Sequence, residues 1–165
     1  MKKFIVLFIV AVMFAGCSGN DPAKRIEKLE KQMFSSENVI DQQMADDLVT
    51  AYCDYAYANP GDAKSPEYLF KAVDVSMNLD NPQRTIAIID RMIKDYPDYQ
   101  RTQAALFVKG FIFETYYGNL EVAKQIYEQY LTMYPEGEFA DACRASIENL
   151  GLTPEQLVKK FESAE

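Results

Sequence analysis

Residues 104–135, AALFVKGFIFETYYGNLEVAKQIYEQYLTMYP, predict two antiparallel helices joined by a tight turn at Gly118 and Asn119. Apolar residues recur at helical spacing on both sides of this turn. Gly110 lies in the middle of the first helix, where glycine costs roughly 1 kcal/mol relative to alanine. A helix that accepts this cost usually needs a very close neighbour, and we expect Ala123, early in the second helix, to be that neighbour.

The same pattern recurs along the chain. Pro60, Pro97 and Pro135 are separated by 37 and 38 residues, and large apolar residues precede each proline at the same offsets. Residues 69–72 (LFKA) match residues 107–110 (FVKG) in character. One helical hairpin cannot bury its own apolar face, so such units stack and share a continuous core. The sequence therefore predicts an all-α solenoid of about three helical hairpins with terminal capping helices.

Capping residues and prolines mark where the helices begin. Asp21, Ser65, Asn81 and Thr153 each precede a proline, and each is predicted to cap a helix whose first residue is that proline. Thr153 is also placed to form a capping box with Gln156. The predicted helices are 22–34, 40–58, 66–79, 82–95, 99–117, 120–133, 138–149 and 154–163. The polar first and last helices are expected to close the two ends of the stack.

The start of the chain has the composition of an export signal. Lys2 and Lys3 precede an apolar run over residues 4–14, which is shorter than the roughly 20 residues that a membrane-spanning helix needs. The run ends at residues 14–17, FAGC, which resemble the lipobox of bacterial lipoproteins. The resemblance implies cleavage before Cys17 and acylation of this cysteine. The alternative is an ordinary secretory signal with an incidental cysteine.

Three segments follow from this interpretation: a lipoprotein signal peptide at 1–16, a lipid anchor and short linker at 17–21, and a helical domain at 22–165. Loss of Lys2 and Lys3 with the signal changes the formal charge from -8 to -10. An acidic chain repels nucleic acid and anionic lipid headgroups. We therefore expect no nucleic-acid partner, and attachment to the membrane through the lipid anchor alone.

Residues on which most catalytic sites depend are absent. The sequence contains no histidine, which excludes His-based acid–base catalysis, Ser-His-Asp nucleophiles and the usual histidine-containing zinc sites. It has no glycine-rich phosphate loop and no acidic residues at calcium-loop spacing. Cys53 and Cys143 fall in different repeats and are predicted to be buried free thiols rather than a disulfide. We expect no enzymatic activity, no cofactor and no metal site.

Two helices per unit, a period in the mid-thirties, small residues at the helix crossing and a closing proline resemble the tetratricopeptide repeat. The resemblance covers about residues 40–150. It is most specific in Gly110, Ala123, Tyr127 and Pro135. The Tyr-Pro endings at 96–97 and 134–135, with units slightly longer than about 34 residues, look like those of Gram-negative lipoproteins in the superfamily of the outer-membrane β-barrel assembly lipoprotein and the Tol-Pal-associated periplasmic repeat protein. Residues 148–157 resemble the closing helix of small Bacteroidetes lipoproteins of this kind.

The resemblance implies a lipoprotein of the bacterial outer membrane that faces the periplasm and binds an envelope protein or peptide segment. One alternative is an accessory component of outer-membrane protein assembly or envelope maintenance. An enzyme subunit, which the missing histidine disfavours, and a carrier of a small apolar ligand are two further alternatives.

A partner groove is expected on the inner face of the first helices of the units, 66–79 and 99–117. The side chains there that the core does not obviously need are Lys71, Asn78, Lys109, Tyr116 and Tyr117. Two lysines on one inner face would favour a partner segment with carboxylates. The alternatives are that the lysines lie on the convex, solvated side and that the tyrosines pack against the next helix.

Overall fold

The computed structural model describes residues 21–35 and 41–163, which form eight α-helices and no strand. In chain order the helices are α1 (Pro22–Ser35), α2 (Gln42–Ala58), α3 (Lys64–Ser76), α4 (Pro82–Asp95), α5 (Thr102–Thr115), α6 (Leu120–Met133), α7 (Ala140–Asn149) and α8 (Pro154–Glu162). The prediction of an all-α fold is confirmed. The predicted signal peptide and Cys17 lie outside the described residues.

Helices that follow one another along the chain pack side by side from α1 to α7. Helix α3 also contacts α5, so the first helices of two successive units are neighbours. This arrangement is that of a helical-hairpin repeat. The predicted bounds agree for α4 and α6, whereas α3 begins two residues earlier and ends three residues earlier than predicted, and α5 is shorter at both ends.

Hydrogen bonds at the turns between the units follow the same repeat. The backbone N–H groups of Asn59, Tyr96 and Tyr134, which end α2, α4 and α6, donate to the carbonyl four residues earlier. The Tyr96 hydroxyl donates to the carbonyl oxygen of Pro60 at 3.0 Å, and the Tyr134 hydroxyl donates to that of Pro97 at 3.3 Å. The tyrosine of each Tyr-Pro ending therefore ties one unit to the closing proline of the unit before.

Three of the four predicted helix caps are confirmed. The side chains of Asp21 and Asn81 accept backbone N–H groups of the first turns of α1 and α4. Thr153 and Gln156 form the predicted capping box, in which the Thr153 N–H donates to Gln156 Oε1 at 2.8 Å and the Gln156 N–H donates to Thr153 Oγ1 at 3.3 Å. These side chains supply acceptors for backbone donors that have no partner inside the helix.

The fourth predicted cap, Ser65, is wrong. Helix α3 begins at Lys64, so Ser65 lies inside the first turn, where it is fully buried. Its hydroxyl donates to the carbonyl oxygen of Asn59 at 2.6 Å, and the hydroxyl of Thr102 donates to that of Tyr96 at 2.7 Å. The two bonds are equivalent and 37 residues apart, so they fix the starts of α3 and α5 relative to the helix before each.

The core has two clusters of buried side chains, one built from α1 to α5 and the other from α5 to α7. The tyrosines that precede Pro60 and Pro135 by eight and five residues belong to this core: Tyr52, Tyr127 and Tyr130 are fully buried, and Tyr55 is half-buried against the first cluster. Cys53 and Cys143 are buried and free, as predicted.

Gly110 is buried, but its close neighbour is not the one predicted. A Cβ atom at this position would lie 2.4 Å from Cε1 and 2.7 Å from Cδ1 of Tyr127. Ala123 is fully buried in the same cluster, yet the three nearest atoms to that Cβ position all belong to Tyr127. The glycine therefore makes room for an aromatic ring rather than for Ala123.

The two terminal helices bury different amounts of apolar surface. Helix α1 buries Ile26, and Leu29 and Met33 are packed against the first cluster. In α8, Leu157 is half-buried, whereas Val158 is 56% exposed. The side chain of Phe161 lies outside the described part of the chain.

Candidate functional site

Two adjoining clefts open along the first helices of the units. One lies between α3 and the loop before α5, and its lining consists of Glu67, Phe70, Lys71, Asp74, Tyr99 and Arg101. The other extends from α5 to the start of α7, and its lining consists of Phe70, Gln100, Arg101, Ala104, Glu138 and Phe139. Because both clefts include Phe70 and Arg101, they form one continuous surface, which we call the inner groove.

Aromatic side chains form much of the wall of the inner groove. The guanidinium carbon of Arg101 lies 5.0 Å from the centre of the Phe70 ring, a distance at which a cation is attracted to the ring face. Phe139 stacks on Phe107 with 4.9 Å between ring centres. Phe70 and Phe139 are each half-buried, so part of each ring faces the groove. These residues give the groove an apolar surface next to the positive charge of Arg101, which lies against the Phe70 ring.

Lys71 lies in the inner groove as predicted, but its charge is already balanced. Its Nζ atom is 3.0 Å from Glu30 Oε1 and 3.4 Å from Glu67 Oε1. The hydroxyl of Tyr52 also donates to Glu30 Oε1, at 2.7 Å. Partial burial lowers the pKa of Lys71, but the hydrogen bonds and charges of the two glutamates outweigh this and raise it. Lys71 therefore stays charged and joins α3 to α1.

The carboxylate of Asp74 has no hydrogen bond or ion pair with the described residues. Partial burial raises the pKa of its carboxyl group, and the positive charge of Arg101 offsets only part of the rise. Glu138, which is exposed at the other end of the groove, likewise makes no side-chain ion pair with residues 21–35 or 41–163. Two carboxylates of the groove are therefore open to a partner.

Lys109 does not share the groove with Lys71, and the prediction that it does is wrong. Its Nζ atom is 2.6 Å from Asp90 Oδ1 on α4, and only 21% of its side chain is exposed. Lys109 follows Ala104 by five residues, which is a rotation of about 140° around the helix axis. Since Ala104 lines the groove, Lys109 points toward α4 instead.

Asn78, Tyr116 and Tyr117 lie beyond the ends of the helices on which they were predicted. Asn78 follows the end of α3 at Ser76, and its side-chain amide donates to a backbone carbonyl of α3. Tyr116 and Tyr117 follow the end of α5 and are 51% and 48% exposed, with the Tyr117 ring tilted against Phe113. Arg101 is at the opposite end of α5, about 20 Å away along the helix axis. The two tyrosines are therefore remote from the groove.

Several groove residues were missed because they precede the helices rather than lie within them. Tyr99, Gln100 and Arg101 were assigned to a helix that starts three residues later in the structure. Glu138 and Phe139 precede α7 in the same way. All five follow a closing proline, Pro97 or Pro135, by two to four residues, and this position in the repeat is the signal that could have found them.

The geometry of the groove bears on what it could bind. The two clefts hold about 270 and 320 Å³, at or below the lower end of the range for pockets that enclose a small molecule. No group of three or more acidic or cysteine side chains in the described part of the chain could hold a metal ion. Among the same residues, no helix is long and apolar enough to cross a bilayer. Clefts of this size suit single side chains better than a whole small molecule.

The fold and the groove together define a helical-hairpin repeat protein with an open inner surface. Comparison with protein-family models and with curated proteins finds no match for this chain. The function has to be inferred from the chain's own residues.

Proposed function

We propose that this protein is a lipid-anchored scaffold of the tetratricopeptide type, which binds a protein segment in its inner groove at the bacterial outer membrane, on the periplasmic side. The observation that carries this proposal is the continuous groove between α3, α5 and the start of α7. The proposal includes no chemistry: the scaffold holds its partner and does not transform it.

Stacked hairpins suit this role because they offer an extended surface on a rigid frame. The frame is fixed at two of the turns, where the hydroxyls of Ser65 and Thr102 bond to the end of the preceding helix. Aromatic residues and arginine are enriched in protein interfaces relative to the rest of the protein surface. The groove residues Phe70, Arg101 and Phe139 supply this combination.

Membrane attachment is proposed from the residues around Cys17. A single acyl chain binds a bilayer only marginally, and two or more chains give stable anchoring. The formal charge of -8 on the whole chain works against binding to anionic headgroups, so the lipid would supply the whole attachment.

Site-specific photo-cross-linking tests the groove. A photoreactive phenylalanine analogue replaces Gln100, which is exposed and lines the groove, or Ala87, which is exposed on α4. In intact cells we expect a discrete cross-linked protein from position 100 and none from position 87, because only the former faces the groove. Equal cross-linking from both positions, or from neither, would refute the proposal.

The identity of the cross-linked protein separates the two roles that the sequence left open. A β-barrel membrane protein, or a component of its assembly machinery, would support an accessory role in outer-membrane protein assembly. A soluble envelope protein would support a more general scaffold.

A further inference from the structure

The charges of the inner groove argue against the acidic partner that the two lysines suggested. Lys109 is paired with Asp90 on the far side of α5. Lys71 has two carboxylates, Glu30 and Glu67, for its single charge. Neither lysine therefore has an unbalanced positive charge to offer to a partner.

A count over the groove and its bonded neighbours gives a net negative charge. Glu30, Glu67, Asp74 and Glu138 are four carboxylates, and Lys71 and Arg101 are two cations. Arg101 is held over the ring of Phe70. Since Asp74 and Glu138 make no side-chain ion pair with the described residues, they are the acceptors available to a bound segment.

Of these two acceptors, Asp74 is the one whose charged form a cation would stabilise more. It is seven residues from Glu67, so the two carboxylates lie on the same face of α3, about 10 Å apart. Its carboxylate accepts no hydrogen bond from the described residues, and partial burial raises its pKa, which is the direction expected for a carboxyl group without a donor. A lysine or arginine of a partner would supply the missing donor, and charge-assisted hydrogen bonds of this kind are strong.

Aromatic surface next to Asp74 suits the same kind of partner. Phe70, Tyr99 and Phe139 line the groove. Arg101 already lies over the Phe70 ring and Phe107 stacks on Phe139, so the remaining exposed parts of these rings can bury an apolar side chain. Basic and apolar side chains on neighbouring positions of one segment would engage both features.

We propose that the inner groove binds a segment in which a lysine or arginine adjoins an aromatic or aliphatic residue, with Asp74 as the acceptor of the cation. The apolar neighbour lies against Phe70 and Phe139 in the cleft between α5 and α7. This inference rests on the proposed function, since it specifies the chemistry of the segment that the groove binds.

Selection from a phage-displayed library of random dodecapeptides, against the full-length protein in detergent, tests the inference without a known partner. We expect selected peptides to be enriched in lysine and arginine beside apolar residues. Binding of one selected, fluorescently labelled peptide is then measured by anisotropy. The variants are Asp74→Asn, the control Asp80→Asn, and Gln100→Trp, which places an indole in the groove.

Asp80 is exposed in the turn before α4, so Asp80→Asn changes the net charge equally but away from the groove. We expect Asp74→Asn to weaken binding about fivefold, the scale of one partly exposed ion pair, and Asp80→Asn to leave it unchanged. The loss should shrink at high salt, because salt screens exposed charges.

Other outcomes separate this inference from the proposed function. Selected peptides that lose binding in Gln100→Trp, but are acidic or bind Asp74→Asn as well as wild type, would overturn the inference and leave the groove as the binding site. If no peptide is selected, or if every selected peptide binds Gln100→Trp unchanged, both proposals fail.

Discussion

Replacement of Gly110 by alanine tests how tightly the second core cluster is packed. The added Cβ would lie 2.4 Å from Cε1, 2.7 Å from Cδ1 and 3.0 Å from Cζ of Tyr127. The Tyr127 ring has little freedom to move away. It is fully buried, its hydroxyl donates to Glu114 Oε2 at 2.7 Å, and its ring centre is 5.8 Å from that of Phe107.

Two opposing effects set the magnitude for Gly110→Ala. Alanine in a helix interior is favoured over glycine by roughly 1 kcal/mol. An extra carbon in a well-packed core costs about 1–3 kcal/mol, and the short contacts to a ring that is held at both ends place this site at the upper limit. The net expected loss in the free energy of unfolding is about 2 kcal/mol. For a chain of this size the loss corresponds to a melting temperature about 4–8 °C lower.

Thermal and urea denaturation followed by circular dichroism measure this loss. Gly61→Ala is the matched control, because a Cβ at Gly61 meets nothing within 4 Å; it should be neutral or stabilise slightly. In a Tyr127→Leu background the Gly110→Ala penalty should largely disappear, since the Cε1 and Cζ atoms are gone. A Gly110→Ala protein as stable as wild type would refute the packing argument.

Three further predictions concern charge, thiol reactivity and the anchor. Lys109→Glu should lower stability by about 1 kcal/mol, because it places a second carboxylate beside Asp90; Asp90→Lys in the same chain should restore it, as measured in a double-mutant cycle. Burial raises the pKa of the Cys53 and Cys143 thiols to about 11, so both should resist iodoacetamide near pH 8 until urea unfolds the protein; equal rates by mass spectrometry would contradict this. Cys17→Ser should abolish incorporation of labelled fatty acid, and unchanged labelling would exclude lipidation at Cys17.

The helices were predictable where local chemistry decides their ends. Asn81 and Pro82 begin α4. The Asn81 side chain caps the first turn, and Pro82 occupies a position where a backbone N–H would have no partner inside the helix. Thr153 and Gln156 satisfy each other in the same local way. Such signals depend on neighbouring residues alone, so they hold before any tertiary structure is known.

Ser65 and Gly110 show where local signals fail. Ser65 has the sequence of a cap, but the turn from Asn59 buries it, and its hydroxyl satisfies a carbonyl of the preceding helix. Gly110 correctly indicated a close approach, but the approaching group is a ring one helical turn beyond Ala123. Both outcomes depend on how two helices pack against each other, and the spacing of apolar residues in one sequence does not specify that packing.

Which charged residues face the groove depends on the offset between α3 and α5 along the chain, and an error of one residue changes the answer. The match of residues 69–72 with 107–110 implies an offset of 38, whereas the bonds of Ser65 and Thr102 show that α3 and α5 are related by 37. One residue is a rotation of about 100° around a helix. At the offset of 37, the counterpart of Lys71 is Val108, which packs against the first core cluster, and Lys109 turns toward α4. The second lysine therefore leaves the groove, and the unpaired carboxylate of Asp74 is the charge that we propose a partner meets.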